Sequence, residues 1–229
     1  MEENKFFRLV WRFNGLVISI AGVLAVGVLL FVGYKLFQDV TRDRTTRNIV
    51  NVEKNSDINE SWRLGQLSSV DGNKTLMVSL HSDQSYSRAY FSKSSNSIRN
   101  YLFIDTETSN KKWLFAHSDY LIERSDILRL GDYNSKEPAV AILYQLVKLD
   151  SDHDNRLSAD DLTTISITNP DGSGYEELIK DVELIVDHRL LNKNELFILY
   201  QKDGLSYSTV LNIQSRELSE NSQIPKVGL

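Results

Sequence analysis

Seventeen consecutive residues, Leu16 to Val32 (LVISIAGVLAVGVLLFV), carry no charge and a single hydroxyl, Ser19. With Gly15, Gly33 and Tyr34 the stretch reaches 20 residues, which as a helix spans about 30 Å, the thickness of a bilayer's hydrocarbon core. Trp11 and Phe13 stand at one end, Tyr34 and Phe37 at the other, where aromatic rings favour the headgroup level. Arg12 and Lys35 close both ends with charge. Each Leu, Ile, Val and Phe of the run favours insertion by roughly 0.3–0.6 kcal/mol. A core helix of this length would keep a polar face. A cleaved leader would have a shorter apolar region and a small-residue cleavage site, whereas Tyr34-Lys35-Leu36-Phe37 follows here. The expectation is a single-pass transmembrane helix over residues 13–37. Residues 1–12 form a cytoplasmic tail, 38–60 a juxtamembrane linker, and 61–229 a β-rich soluble domain whose fold begins near Trp62.

Charge divides at the helix. Residues 1–47 hold seven Lys/Arg and four Asp/Glu; the remainder holds nineteen and twenty-seven, a net of −8. An acidic soluble part argues against a nucleic-acid partner, because phosphates require a basic surface. The absence of cysteine excludes disulfides, thiolate zinc sites and cysteine nucleophiles. Basic residues flank both ends of the helix almost equally, Lys5, Arg8 and Arg12 before it and Lys35, Arg42, Arg44 and Arg47 after it. Large domains translocate largely regardless of that count. The expected location is the bacterial inner membrane, with the N-terminus cytoplasmic and the C-terminal domain periplasmic. Along the helix Gly15 and Ser19 lie four apart, as do Ala21 and Ala25, with Gly22 between them. Small residues at that spacing let helix backbones approach closely in lipid, so a second transmembrane segment, of another membrane protein or of the same chain, is an expected partner beside the lipid bilayer itself.

Beyond the linker the pattern is strand after strand. Residues 76–80, 86–91, 101–104, 113–115, 139–149, 162–168, 182–191, 195–201 and 206–213 read as strands, separated by turns rich in Asp, Asn and Gly. Gly72 and Gly204 supply the positive φ of tight hairpins. Residues 122–130 suggest one short helix. Trp62, Trp113, Tyr101, Phe103 and Tyr144 read as sheet core rather than as a ligand platform. Three stretches share the form strand, polar turn, next element: YLFIDTETSNKKWLF from Tyr101, ISITNPDGSGYEELI from Ile165 and TVLNIQSRELSENSQI from Thr209. They start 64 and 44 residues apart, the second spacing being that of a propeller blade. With its aspartate-rich turn and its Asp171-Gly172-Ser173-Gly174 turn, the segment 139–213 resembles a blade of the TolB-like propeller family. That resemblance implies a propeller-like antiparallel β domain of few blades, or an incomplete one, since a closed propeller needs at least four. The alternative is a β-sandwich. Either way the fold class is mainly β with one N-terminal transmembrane helix.

The sharpest chemical signal is Asp150-Ser151-Asp152-His153-Asp154-Asn155-Arg156-Leu157-Ser158-Ala159-Asp160-Asp161. Asp150, Asp152 and Asp154 fall at positions 1, 3 and 5 of a twelve-residue loop, Ser158 at 9 and Asp161 at 12. The loop resembles that of an EF-hand. A hard dication takes six to eight oxygens at about 2.3–2.6 Å, which alternate carboxylates in a curled loop supply. The resemblance implies Ca²⁺ held by Asp150, Asp152, Asp154, the carbonyl of Arg156, Ser158 and Asp161. Asn155 replaces the expected glycine at position 6 and Asp161 the expected glutamate at position 12, departures that weaken binding. The entering segment reads as a strand where an EF-hand has a helix. The competing reading is a bare acidic turn.

No other constellation stands out. His81, His117, His153 and His188 are at least 35 residues apart and share no ligand spacing. There is no G-x-S-x-G, phosphate-cradling glycine loop or H-E-x-x-H. The chain therefore reads as a membrane-anchored, non-catalytic accessory subunit of an envelope complex whose β domain binds a partner protein. A calcium- or ligand-responsive sensor subunit, and an enzyme whose residues are scattered in sequence, are the alternatives.

Overall fold

The computed structural model describes residues 5–40, 49–52, 58–71, 74–86, 94–131 and 137–226. The chain divides into two compact units, Met1–Thr45 and Thr46–Leu229. The first is one helix, α1 (Lys5–Val40), which covers the expected span and continues beyond it at both ends. Its stretch Arg8–Lys35 has a mean hydropathy of 2.8, and every described side chain on it is exposed. Long, apolar and unpacked, it is able to cross a membrane. The Ser19 hydroxyl donates to the Gly15 carbonyl at 2.8 Å, so the one polar side chain of the run is satisfied within the helix.

The second unit is all β. It opens with β1 (Val50–Asn51), ahead of the expected domain start. A first antiparallel meander follows: β2 (Ile58–Asp71), β3 (Thr75–Tyr86), β4 (Ser94–Asp105) and β5 (Lys111–Trp113). The second runs β6 (Leu121–Arg129), β7 (Ala139–Val147), β9 (Thr163–Thr168) and β10 (Glu176–Val182), with the short β8 (Arg156–Leu157) in the β7–β9 loop. The third runs β11 (Leu184–Asn192), β12 (Glu195–Lys202), β13 (Leu205–Asn212) and β14 (Ser222–Gln223). Among the described residues three four-stranded sheets, rather than the two of a sandwich, thus follow one another.

The middle sheet has cover on both faces. Ala141, Leu143, Ile165 and Ile167 pack against Leu196, Ile198 and Leu211 of the third sheet. Ile142, Tyr144 and Leu146 point the other way, against Met77, Tyr101 and Phe103 of the first. Such a strand needs apolar residues at every position, which is why residues 139–147 show no alternation. Residues 122–130, expected as a short helix, form β6 instead; register shifts in its pairing with β7 break the two-residue period that marks a strand. Trp62 and Trp113, expected in the core, are 45% and 42% exposed on the outer face of the first sheet. Gly72 and residues 87–91 of the expected strand 86–91 lie outside the described residues.

The three repeated stretches occupy equivalent places, the hairpin between third and fourth strands of each sheet. Asp105 Oδ1 accepts from the backbone N–H groups of Glu107 and Thr108, and Asn212 Oδ1 from those of Gln214 and Ser215. These side chains replace turn hydrogen bonds that the backbone leaves open. The two donors hold the exposed Asp105 carboxyl below its ordinary pKa. In the middle hairpin Asp171 Oδ1 accepts from Ser173 N, and Gly172 turns at φ 75°. A Cβ at Gly172 would lie 2.4 Å from the Phe103 ring, so glycine is what lets this hairpin lie against the first sheet.

Candidate functional site

The first strands of the three sheets, β2, β6 and β11, converge on a cavity of about 1050 Å³. Alternation along β3 brings Ser79 and His81 to the same face, where the hydroxyl and the ring Nε2 share a hydrogen bond of 2.7 Å. Gly65 of β2 passes so close that a Cβ there would meet both groups within 2.5 Å. Arg63 Nε donates to Asp83 Oδ2 at 2.8 Å. Across the cavity the hydroxyls of Tyr101 and Ser125 are 2.7 Å apart. Asp126 Oδ2 lies 2.7 Å from Arg124 Nε and 3.8 Å from His188 Nε2. Arg129 Nη2 donates to the Ser69 and Val70 carbonyls, tying β6 to the end of β2.

The cavity wall is rich in N–H donors. Arg63, Arg129, Arg189 and two histidines face it, against Asp126. The sequence spacing of His81 and His188 concealed their shared cavity, because the first sheet brings one and the third sheet the other.

Burial pushes the His188 imidazole below its ordinary pKa; Asp126 opposes this, and Arg124 reinforces it. The folded unit therefore holds His188 neutral while the unfolded chain protonates near pH 6.5. The stabilisation is complete above that value and is lost as pH falls through and below it. The urea midpoint of the full chain in detergent should decline below about pH 6.5, and His188→Asn should flatten the decline. An identical pH profile in the variant would show that His188 does not carry it.

The acidic loop joins β7 to β9. Asp150 accepts from Asp154 N at 3.1 Å and Asn155 N at 2.8 Å, Asp152 from Asp154 N at 3.1 Å, and Asp154 from Arg156 N at 2.8 Å. These turns curl the chain so that carboxylate oxygens of Asp150, Asp152 and Asp154 lie within 4.8 Å of one another. His153 and Asn155 take left-handed φ of 65° and 64°, which asparagine tolerates well. The Asp152 carboxyl accepts the Asp154 N–H, which favours the anion. Desolvation and the charges of Asp154 and Asp161 outweigh that donor and raise its pKa. Asp161 stands apart from the three. It is 2% exposed, and its oxygens accept from Ser151 N, Ser151 Oγ and Ser158 N at 2.6, 3.1 and 2.9 Å. Ser158 is also buried, and its Oγ accepts from Asp160 N. Arg156 belongs to β8, which pairs with β1, Val50 opposite Leu157. The loop thus clasps the segment through which the chain enters its β unit, and Val50 and Leu157 pack with Leu121 and Val147.

No protein-family model and no curated protein matches the sequence. Among solved structures the chain is similar to the β-propeller domain of the Trilobed protease from Pyrococcus furiosus, described as having an open velcro topology. The TM-score is 0.38 with 9% identity, over 72% of this chain and 44% of that one. The chain thus spans less than half of that neighbour's length.

Proposed function

We propose that the chain is a membrane-anchored, non-catalytic accessory subunit of a bacterial envelope complex, whose β unit lies in the periplasm and binds a partner protein. The observation that supports it best is the pairing of an apolar helix able to span a membrane with a β unit whose sheets converge on a cavity lined by three arginines and two histidines. The small residues Gly15, Ser19, Ala21, Gly22 and Ala25 pack against a second transmembrane segment. A Cβ at Gly22 meets nothing within 4 Å, so Gly22→Leu leaves the helix itself undisturbed and tests only its neighbour. The experiment is capture of the full chain from detergent-solubilised membranes. A stoichiometric partner should be retained, and Gly22→Leu should reduce its recovery several-fold. Recovery of no partner would sink the reading. Protease added to spheroplasts should remove the β unit; digestion only after lysis would place it in the cytoplasm.

A calcium-responsive role has one specific observation behind it, the three converging carboxylates of the β7–β9 loop. In this reading Asp150, Asp152 and Asp154 hold one Ca²⁺ with the Arg156 carbonyl, and Ser158 and Asp161 shape the loop around it. The ion relieves the crowding that raises the Asp152 pKa and stiffens the β1–β8 clasp.

A further inference from the structure

Within the chain the sheets stack by one repeated rule. The equivalent hairpin residues Asp105, Asn169 and Asn212 align β4, β9 and β13, so Phe103, Ile167 and Val210 occupy one face of their sheets and Ile104, Thr168 and Leu211 the other. The Phe103 face of the first sheet meets the face of the second that carries Tyr144 and Thr168. The Ile167 face of the second meets the Leu211 face of the third. Among the described residues no sheet covers the hairpin ends of two faces: the Ile104 face of the first sheet, whose far end around Ser82, Gln84 and Ser97 is buried beside the segment Ile49 to Asn51, and the Val210 face of the third. They are the two halves of the same pairing.

Each of these faces exposes apolar side chains, the third sheet's among polar ones. On the first sheet Leu64, Leu67 and Trp113 are 56%, 57% and 42% exposed. On the third, Leu191 is 54% exposed beside the half-buried Phe197 and Val210. Isolated exposed apolar residues are ordinary, but a contiguous sheet face of them marks an interface. Next to its hairpins the third sheet has a depression of about 430 Å³, lined by Leu191 and Val210 and edged by Glu195 and Glu217. At the hairpin end of the first sheet, Trp113 stands out beside Lys111, with Lys74 nearby. One face thus offers exposed acids beside an apolar lining, and the other exposed bases beside an indole.

We propose that a second copy of this chain covers both faces, two three-sheet arcs closing by two-fold symmetry into one ring of six sheets. The Ile104 face of each copy packs on the Val210 face of the other, repeating twice the stacking that each chain already makes. Six lies within the four to eight sheets that close such rings. A two-fold axis along the ring axis also keeps Val50 of both copies on one side, as a shared membrane requires. The cavity of β2, β6 and β11 then becomes half of a central channel. The proposal rests on reading the β unit as a protein-binding module and names one protein that it binds.

The chain contains no cysteine, so crosslinking has no background. Leu67→Cys and Leu191→Cys are made separately in the full chain, and the two proteins are mixed in detergent with a short bis-maleimide. The mixture should give a two-chain product, neither variant alone should give one, and the doubly substituted chain should stop at two chains. Lys111→Glu should lower the yield several-fold and Lys111→Glu with Glu217→Lys should restore it. Self-linking of either single variant, no product from the mixture, or a ladder beyond two chains overturns the ring. If the ring fails while membrane capture still retains a stoichiometric partner, only the identity of the partner falls.

Discussion

Replacing Tyr144 by alanine should destabilise the β unit by about 3–5 kcal/mol, the usual cost of deleting a buried aromatic ring. Tyr144 is fully buried at the centre of β7, between the middle and first sheets. Its ring lies 6.1 Å from that of Tyr101 at an interplanar angle of 47°, and its hydroxyl is 3.2 Å from Thr168 Oγ1. Such an aromatic contact adds to the area buried. Thr168 is itself fully buried, so the lost hydroxyl would strand a partner as well as leave a void. Burial also pushes the phenol far above its ordinary pKa, so it remains a neutral donor or acceptor throughout the accessible pH range. Tyr144→Phe removes the hydrogen bond alone and should cost about 1 kcal/mol. Against a total stability of about 5–15 kcal/mol, the alanine variant should show a greatly lowered urea midpoint. A shift no larger than that of the phenylalanine variant would mean that the first sheet does not pack on the second.

Asp161→Ala should cost about 2–4 kcal/mol whether or not calcium is present, because it leaves the Ser151 and Ser158 amides without their acceptor in a buried site. Asp150→Ala with Asp154→Ala should change little in chelator, since those carboxylates cap turns near the surface. In millimolar calcium the order should become visible. The wild-type thermal midpoint should rise by about 1–5 °C, as expected for a site with a dissociation constant near the calcium concentration, and the double variant should not respond. Asp161→Ala should start lower and still respond. A wild-type midpoint indifferent to 5 mM calcium would leave the three carboxylates as an acidic turn, and equal losses for all variants in chelator would remove the distinction between clasp and ligands.

Read one residue after another, the chain disclosed what depends on neighbours in sequence. An uncharged run long enough to span lipid specifies α1 without help from the rest of the fold, because helical hydrogen bonds close within the segment. The hairpins at Asp105, Asn169 and Asn212 were legible for a similar reason: their side chains bond amides two or three residues away, or glycine turns the backbone. The curl of Asp150, Asp152 and Asp154 is equally local.

Tertiary structure alone decided the remainder. The long β2 went unread because its register shifts beyond Leu64 and its apolar residues Trp62, Leu64 and Leu67 face outward, so neither alternation nor burial announces it. β10 is hidden likewise by two register shifts against β9. The role of Asp161 depends on Ser151, ten residues away, folding back beneath it, which position in the loop does not reveal. His81 and His188 share a cavity only because three separate sheets bring their first strands together. That stacking is governed by which sheet faces are apolar on both sides, a property of paired strands distant in the chain, and among the described residues the same rule leaves the hairpin ends of the Ile104 and Val210 faces without a sheet over them.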